Sequence, residues 1–291
     1  MTKPELIKKL REMTQAGIMD VKKALDENND DLEKAAEWLR EKGIAKAAKK
    51  ASAIAAEGIT SIGVEGNKAV ILEINSQTDF VAKNEMFLEL ASAIKAAILT
   101  SAPADLNACL QVKLPTGNTV EQACTELTSK IGEKIVLRRF QLVTKDENDT
   151  FGAYEHFNKK IAVLLVLANK VDPTIGKNVA MHAAAMAPKF MDRNSVDQVW
   201  LENESKILKE QTIAEGKPAD KAEMIVKGRI NKSIAEVCLT EQNFVIDPSK
   251  KINEYLKQNN TSLKAYYRYE VGEGIEKKVE DFAAEVASQM K

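Results

Sequence analysis

The chain is poor in the residues that most often build metal sites and catalytic dyads. Its 291 residues include two histidines, His156 and His182, and three cysteines, Cys109, Cys124 and Cys238. None of them has a second histidine or cysteine at the spacing of a zinc or redox motif. We therefore expect no metal site and three free, buried thiols. We expect His182 to pack in an alanine-rich helix and His156 to have a structural or interface role.

An excess of charge of either sign is also absent. The 42 lysines and arginines balance 43 aspartates and glutamates, and the formal net charge is −1. A dedicated nucleic-acid-binding protein normally has a basic excess, so we expect no direct nucleic-acid partner. The longest apolar runs, AVILEI and IAVLLVLA, are too short to span a bilayer, and the N-terminus lacks the apolar core of a signal peptide. The sequence predicts a cytoplasmic protein without membrane contact.

Motifs for catalysis are missing as well. The sequence contains no GxxxxGK[ST] or GxGxxG phosphate loop and no GxSxG, HExxH or kinase signature. Carboxylates are plentiful, but nothing in their spacing singles out a pair for acid–base work. These absences favour a protein-binding role without catalytic residues, cofactor or metal.

The first 45 or so residues predict three short helices. Pro4 suits the first turn of the first helix. The third helix, DLEKAAEWLREKG, is expected to be capped by Asp30 and to end at Gly43. The next stretch, residues 44–58, is rich in alanine and lysine and has no large apolar face, so we interpret it as a partly helical linker.

From Ile59 the pattern changes to an α+β alternation. A hairpin is predicted around Gly66, a helix from about Asn84 to Leu99, and a second helix that ends near Gly132. IVLRRFQLV, FGAYEHF, KIAVLLVLA and SLKAYYRYEVG are predicted strands. Two segments have the same strand–loop–helix order, which hints at an internal duplication of a β-β-α unit.

Residues 195–238 are charged and predict two helices joined by a tight turn, an αα-hairpin. The residues expected to face each other are Val199, Trp200, Ile207 and Ile213 on the first helix and Met224, Ile230, Ile234 and Val237 on the second. So narrow an apolar stripe suggests that the hairpin projects or packs on another chain, and self-association is one hypothesis. The chain closes with an amphipathic helix, EKKVEDFAAEVASQM.

One connection is unusual for its composition. In NSQTDFVAKNEMF, residues 75–87, a predicted strand passes into a predicted helix, and Phe80 stands beside Asp79. Such connections usually carry small polar residues. Three explanations are open: Phe80 packs beneath the loop, Asp79 caps the following helix, or the pair contacts another protein.

Several segments in order closely resemble bacterial translation elongation factor Ts: MTQAGIMDVKKAL, KGIAKAAKKA, VILEINSQTDFVAKN, KIGEKI and RYEVGEGIEKKVEDFAAEV. The resemblance covers essentially the whole chain. It implies a guanine-nucleotide exchange factor for elongation factor Tu, the GTPase that carries aminoacyl-tRNA, with both the GDP-bound and the nucleotide-free GTPase as partners.

The resemblance also implies an architecture. An N-terminal three-helix module similar to ubiquitin-associated (UBA) domains is followed by a core of two related α+β subdomains, an inserted antiparallel coiled-coil hairpin and a C-terminal helix. The expected boundaries are residues 1–44 for the UBA-like module, 45–58 for the linker, 59–143 and 144–274 for the two subdomains, 195–238 for the hairpin and 275–291 for the C-terminal helix.

By resemblance, Thr78, Asp79, Phe80 and Val81 match the segment linked to the loss of magnesium from factor Tu. The family's aromatic ring enters the partner's GTPase domain and disturbs its magnesium and phosphate site. Asp79 is not expected to bind the metal itself.

Three further residues match family contacts with the partner. Ile18 and Met19 match the contact made by the N-terminal module, where the family often has Met-Met. His156 matches a histidine near the interface, but Phe157 stands where the family commonly has glycine. The alternative reading, a UBA-like peptide-binding adaptor without exchange activity, leaves TDFVAKN and EVGEGIEK unexplained.

Overall fold

The computed structural model of the chain describes residues 1–14, 16–216 and 219–276. Three helices open it: α1 (Lys3–Thr14), α2 (Ile18–Glu27) and α3 (Leu32–Lys50). Their buried side chains form one small core of Leu6, Leu10, Val21, Ala24, Leu25 and Ala35. Three helices are what the apolar spacing predicts, because each turns a single apolar stripe toward the other two.

The third helix differs from the prediction at both ends. Asp31, and not Asp30, caps it by accepting hydrogen bonds from the backbone N–H groups of Glu33 and Lys34. Gly43 does not end it, since the helix continues to Lys50. A methyl group at Gly43 would lie 2.9 Å from Ser129 Oγ, so this glycine allows a close approach to a neighbouring helix. A glycine in a helix can therefore mark a packing contact as well as an end.

Six strands form two three-stranded sheets in the described part of the chain. The first sheet has the order β1 (Glu57–Glu65), β2 (Lys68–Ser76), β3 (Val136–Thr144), and the second has the order β4 (Thr150–Glu155), β5 (Ile161–Leu167), β6 (Leu263–Glu270). The predicted strands are confirmed, and so is the hairpin at Gly66. In the β4–β5 hairpin, Phe151 pairs with Val166 and Ala153 pairs with Leu164.

Eight more helices connect or cover the strands within the described residues. They are α4 (Asp79–Ala82), α5 (Glu85–Ser101), α6 (Leu106–Leu110), α7 (Val120–Ile131), α8 (Pro173–Met186), α9 (Gln198–Ala214), α10 (Ala219–Val237) and α11 (Ile252–Gln258). Each sheet is built from a hairpin, intervening helices and a final strand, so the element order occurs twice. This repeat supports the duplication that the sequence suggested, and the fold class is α+β.

The chain divides into two compact units. The first consists of Met1–Ser61, Leu72–Gln141 and the chain from Glu270 on, and the second of Ile62–Ile71 and Leu142–Tyr269. In the second unit β5 is buried on both faces. Val163, Leu165 and Leu167 pack in one cluster with residues of α8 and α11, while Ala162, Leu164 and Val166 pack in another with Ala69, Ile71 and Val143. The uninterrupted run IAVLLVLA follows from this two-sided burial.

Helices α9 and α10 contact each other through polar side chains. The guanidinium of Arg229 bonds Glu215 at 2.6 Å and Thr212 at 3.3 Å, and Ser233 Oγ donates to Glu204 at 2.9 Å. Trp200 packs edge-on against Phe190. The expected apolar facing is wrong for four residues, because Val199, Ile207, Ile213 and Met224 are exposed.

His182 and the three cysteines are buried. His182 is buried in α8, where its Nδ1 accepts from the Val245 backbone and its Nε2 lies 3.0 Å from Gln242 Oε1, so its packing role is confirmed. Burial lowers the pKa of His182. Cys109, Cys124 and Cys238 are free and buried, as expected. Among the described residues no helix is both long and apolar enough to cross a membrane.

Candidate partner-binding site

Thr78 begins the candidate site and anchors it. The residue caps α4, a single helical turn, by accepting a hydrogen bond from the Val81 backbone N–H at 3.4 Å. Its own backbone N–H donates to Glu133 Oε2 at 3.0 Å, and its hydroxyl lies 2.9 Å from Glu133 Oε1. Glu133 follows α7, so Thr78 ties the turn to a second element of the first unit.

Phe80 faces solvent, and the two residues after it face the core. Phe80 is 80% exposed, whereas Val81 is 7% and Ala82 5% exposed. A one-turn helix places successive side chains about 100° apart, so burying Val81 and Ala82 turns the aromatic ring outward. The explanation in which Phe80 packs beneath the loop is therefore wrong.

Asp79 is not a cap. Thr78 caps α4, and Asn84 caps α5 by accepting from the Met86 backbone N–H at 2.9 Å. Asp79 is the first residue of α4, where a negative charge suits the helix N-terminus. Its carboxylate bonds Lys83 Nζ at 2.7 Å, and the same ammonium lies 6.0 Å from the centroid of the Phe80 ring. Asp79 and Lys83 therefore flank the exposed ring with opposite charges.

Backbone and side-chain bonds hold both ends of the turn. Ser76 Oγ donates to the Thr78 carbonyl at 2.9 Å, and Gln77 Oε1 accepts from the Lys134 backbone at 2.9 Å. On the other side, the Asn84 backbone N–H donates to the Val81 carbonyl. The segment presents one aromatic ring from a fixed backbone, which lowers the entropy cost of binding with it.

Ile18 and Met19 are exposed at the start of α2. Their exposed fractions are 48% and 73%, while Val21 and Leu25, further along the same helix, are buried. Gly17 precedes them in an extended conformation. These two apolar side chains lie in the first unit, as Thr78–Val81 do.

His156 lies in the second unit, in the turn between β4 and β5. Its Nδ1 is 2.9 Å from the Tyr154 hydroxyl, and its ring centroid is 4.5 Å from that of Phe157. Phe157 is 88% exposed. Among the described residues, Phe80 is the exposed aromatic side chain of the first unit and Phe157 that of the second.

A buried carboxylate explains the EVGEG segment, which pattern reasoning left without a role. Glu73 on β2 is fully buried and accepts hydrogen bonds from Arg138 Nη1 at 2.9 Å, Arg139 Nε at 2.6 Å and the Gly272 backbone at 2.8 Å. Burial alone would raise its pKa, but the bonds from Gly272, Arg138 and Arg139 prevail and hold the pKa below its ordinary value. The segment after β6 is thereby fastened to the first sheet.

Gly272 has to be a glycine for two reasons. Its φ is +76°, in the left-handed region, and a methyl group there would overlap the Ala56 carbonyl oxygen. The sequence does not reveal the contact of Gly272 with Glu73 and Ala56, because both residues are distant along the chain. The missed partners Glu73 and Glu133 carried a signal, because each lies in a segment that resembles the family.

A family model described as elongation factor TS matches residues 77–273. This is about two thirds of the chain and includes Thr78–Val81, His156 and Gly272. The chain belongs to the elongation factor Ts family.

Membership of the elongation factor Ts family gives a function at the level of the family. Its members are translation elongation factors that bind elongation factor Tu and exchange its guanine nucleotide, and they are exchange factors rather than catalytic enzymes. In the part of this chain that the structure describes, no three histidine, cysteine, aspartate or glutamate side chains form a group that could hold a metal ion.

Proposed function

We propose that this member of the elongation factor Ts family speeds GDP release from elongation factor Tu by placing Phe80 against the partner's nucleotide site. The observation that carries the proposal is the exposure of Phe80, whose side chain is 80% exposed. Thr78 caps the helical turn that holds it, and the next residue, Val81, is buried. Aromatic residues provide large apolar area with few rotatable bonds, which suits an interface anchor.

The proposed mechanism needs no covalent step. GDP is held by the partner's magnesium ion and by donors around the phosphates, so an inserted ring that displaces either one raises the rate at which GDP leaves. The coupling is reciprocal: if the factor weakens GDP binding, GDP weakens binding of the factor by the same ratio. The partner is therefore bound both with GDP and without nucleotide.

The four residues of the segment share this task unequally in the proposal. Phe80 makes the apolar contact. Asp79 contacts the partner beside the Phe80 ring and keeps its ion pair with Lys83. Thr78 and Val81 fix the turn, since Thr78 bonds Glu133 and Val81 is buried. Asp79 does not ligate the partner's magnesium.

Ile18, Met19 and His156 are proposed as further contacts with factor Tu, supported by the exposure of the first two and by the exposed turn that carries His156. We also propose the finer architecture that the resemblance implies: a UBA-like module over residues 1–44, a linker over 45–58, subdomains over 59–143 and 144–274, and a coiled-coil hairpin over 195–238. The proposed C-terminal helix, 275–291, falls mostly outside the described residues. The protein is proposed to act in the cytoplasm, without cofactor.

The deciding experiment follows the release of a fluorescent GDP from factor Tu in a stopped-flow instrument. Catalytic amounts of this protein should accelerate the release and turn over many times. A release rate equal to that of factor Tu alone would reject the proposal. Binding of many unrelated peptides, without effect on release, would favour the adaptor alternative.

Self-association through α9 and α10 is a second proposal, favoured by the exposure of Val199, Ile207, Ile213 and Met224. Exposed apolar residues on a pair of helices can pack on a second copy. Sedimentation of the full chain and of a version lacking residues 195–238 tests it. A monomer in both cases would reject it.

A further inference from the structure

Backbone and side-chain hydrogen bonds close the turn between β4 and β5. The His156 backbone N–H donates to Ile161 at 2.9 Å and that of Lys159 donates to His156 at 2.8 Å. The Lys160 backbone donates to Asn158 Oδ1 at 2.9 Å, and Lys159 adopts a left-handed φ of +57°. The backbone that carries Phe157 is thus fixed, as the flanking strand ladder requires.

Phe157 is the most exposed large apolar side chain in the described part of the protein, at 88%. A phenyl ring that leaves water when it packs on a partner contributes favourably to binding. The residues after it in the turn, Asn158 and Lys159, are polar. Phe157 therefore has the size and the exposure of an interface anchor.

A ladder of rings supports Phe157 from the core outward. Tyr154 packs against the cluster formed by β5 and α8, and its hydroxyl bonds His156 Nδ1 at 2.9 Å. The His156 ring in turn lies 4.5 Å from the Phe157 ring, tilted by 53°. The Tyr154 hydroxyl holds the His156 ring, and Phe157 contacts that ring while 88% of its own surface stays exposed.

We propose that Phe157 is a second aromatic anchor for elongation factor Tu, one that sets how tightly the factor binds and not how fast GDP leaves. The inference rests on the function proposed above. It is supported by continuity, since His156, whose ring lies 4.5 Å from that of Phe157, is one of the proposed contacts. The occupant is an apolar depression on factor Tu that accepts a phenyl ring.

The distinction between the two anchors has a kinetic form. A contact that is equally strong before and after GDP leaves contributes uniform binding, which changes half-saturation and leaves the limiting rate alone. Phe80 is proposed to act on the release step itself. Replacing each ring should therefore affect different kinetic constants.

The experiment measures GDP release from factor Tu over a range of concentrations of the full-length protein. Phe157→Ala should raise the half-saturating concentration by roughly tenfold or more, with a limiting rate within about twofold of the original. Ile246→Ala is the matched control, because Ile246 is an exposed apolar residue of the same unit with no place in the proposal, and both constants should stay unchanged. Thermal melts show whether each variant is folded.

The outcomes separate this inference from the proposed function. If the original protein accelerates release and Phe157→Ala has the same half-saturation, only the inference is wrong. If the original protein binds nucleotide-free factor Tu but does not accelerate release, the proposed function is wrong. The affinities of the original protein, Phe157→Ala and Ile246→Ala for factor Tu, measured by titration calorimetry, then show whether Phe157 is an anchor. If it neither binds nor accelerates, both are wrong. A change in the protein's own sedimentation on Phe157→Ala, with equal affinity for factor Tu, would assign the ring to self-contact and overturn the inference.

Discussion

Thr78, Asp79, Phe80 and Val81 are adjacent in sequence but have four different environments. In order, they are a helix cap that bonds Glu133, the first residue of α4 in an ion pair with Lys83, an exposed ring and a buried side chain. The sequence identified the segment, because an aromatic residue in a polar connection is unusual. The sequence does not show which of Phe80 and Val81 faces inward, since both are apolar and the helix that contains them is a single turn.

Phe80→Ala should leave the fold intact and slow release of GDP from factor Tu. An exposed ring contributes little to stability, whereas truncation of an interface hot spot costs about 2–4 kcal/mol. Stopped-flow release at saturating factor measures the effect.

Val81→Ala is the matched comparison for Phe80→Ala. The substitution removes the two buried methyl groups of Val81, which should lower the free energy of unfolding by about 1.5 kcal/mol. Urea titration measures this loss. A larger stability loss for Phe80→Ala than for Val81→Ala would contradict the orientation described above.

Glu73 supports a second prediction at the scale of the residue. Glu73→Gln removes the charge that balances Arg138 and Arg139, whose side chains are 25% and 29% exposed. Breaking a buried pair costs about 3–5 kcal/mol, and partial exposure of the arginines places the expected loss near 3 kcal/mol. Glu12→Gln, in an exposed pair with Lys8, should cost less than about 1 kcal/mol. Equal losses in urea titration would show that the Glu73 network contributes nothing.

The same carboxylate predicts a pH dependence. The pKa of Glu73 in the folded protein lies below its ordinary value of 4.5, so its contribution to stability is complete above that pH. It is lost as the pH falls from 4.5 through the lowered pKa. The stability difference between the original protein and Glu73→Gln should shrink over that range, and a constant difference in acid titrations would argue against this assignment.

At the scale of the element, close backbone contacts decide where glycines occur. Helix α8 crosses β4 so closely that a methyl group at Gly152 would lie 2.6 Å from Gly176 Cα. Neither glycine has a positive φ, so the requirement is for space and not for backbone freedom. Gly43 likewise leaves space for a close contact, here between α3 and Ser129. A glycine is also typical of a helix end, so the sequence alone does not distinguish the two roles.

Gly152→Ala should therefore destabilise the protein by about 1–3 kcal/mol, the usual cost of overpacking. Gly228→Ala in α10 provides the opposite control, because no atom lies within 4 Å of the added methyl group. An alanine in a helix interior stabilises by about 0.5–1 kcal/mol relative to glycine. Thermal unfolding of the two variants should shift in opposite directions.

At the scale of the molecule, the two units can be followed separately through their thiols. Cys109 and Cys124 belong to the first unit and Cys238 to the second. All three are buried, and burial raises the pKa of each thiol to about 11. A folded protein should thus react very slowly with thiol reagents at neutral pH, since the thiolate is the reactive form.

Labelling in increasing urea should expose the thiols as their unit unfolds. A variant that retains only Cys238 reports the second unit, and one that retains Cys109 and Cys124 reports the first. Coincident labelling midpoints would indicate one cooperative transition, and separated midpoints would indicate units that unfold independently. Rapid labelling without urea would contradict the burial of the thiols.

The sequence by itself determined the strands, most of the helices and the family. The side-chain periods of a helix and of a strand are set by local backbone geometry, so the pattern predicts the three N-terminal helices, the six strands and the ends at Asn84 and Gly132. The tertiary structure decided what depends on distant residues. Glu73 meets Gly272 across 199 positions, α3 continues through Gly43 because α7 lies beside it, and Phe80 faces solvent because Val81 fills the core. Such pairings leave no local period, because they are set by which surfaces exclude water together.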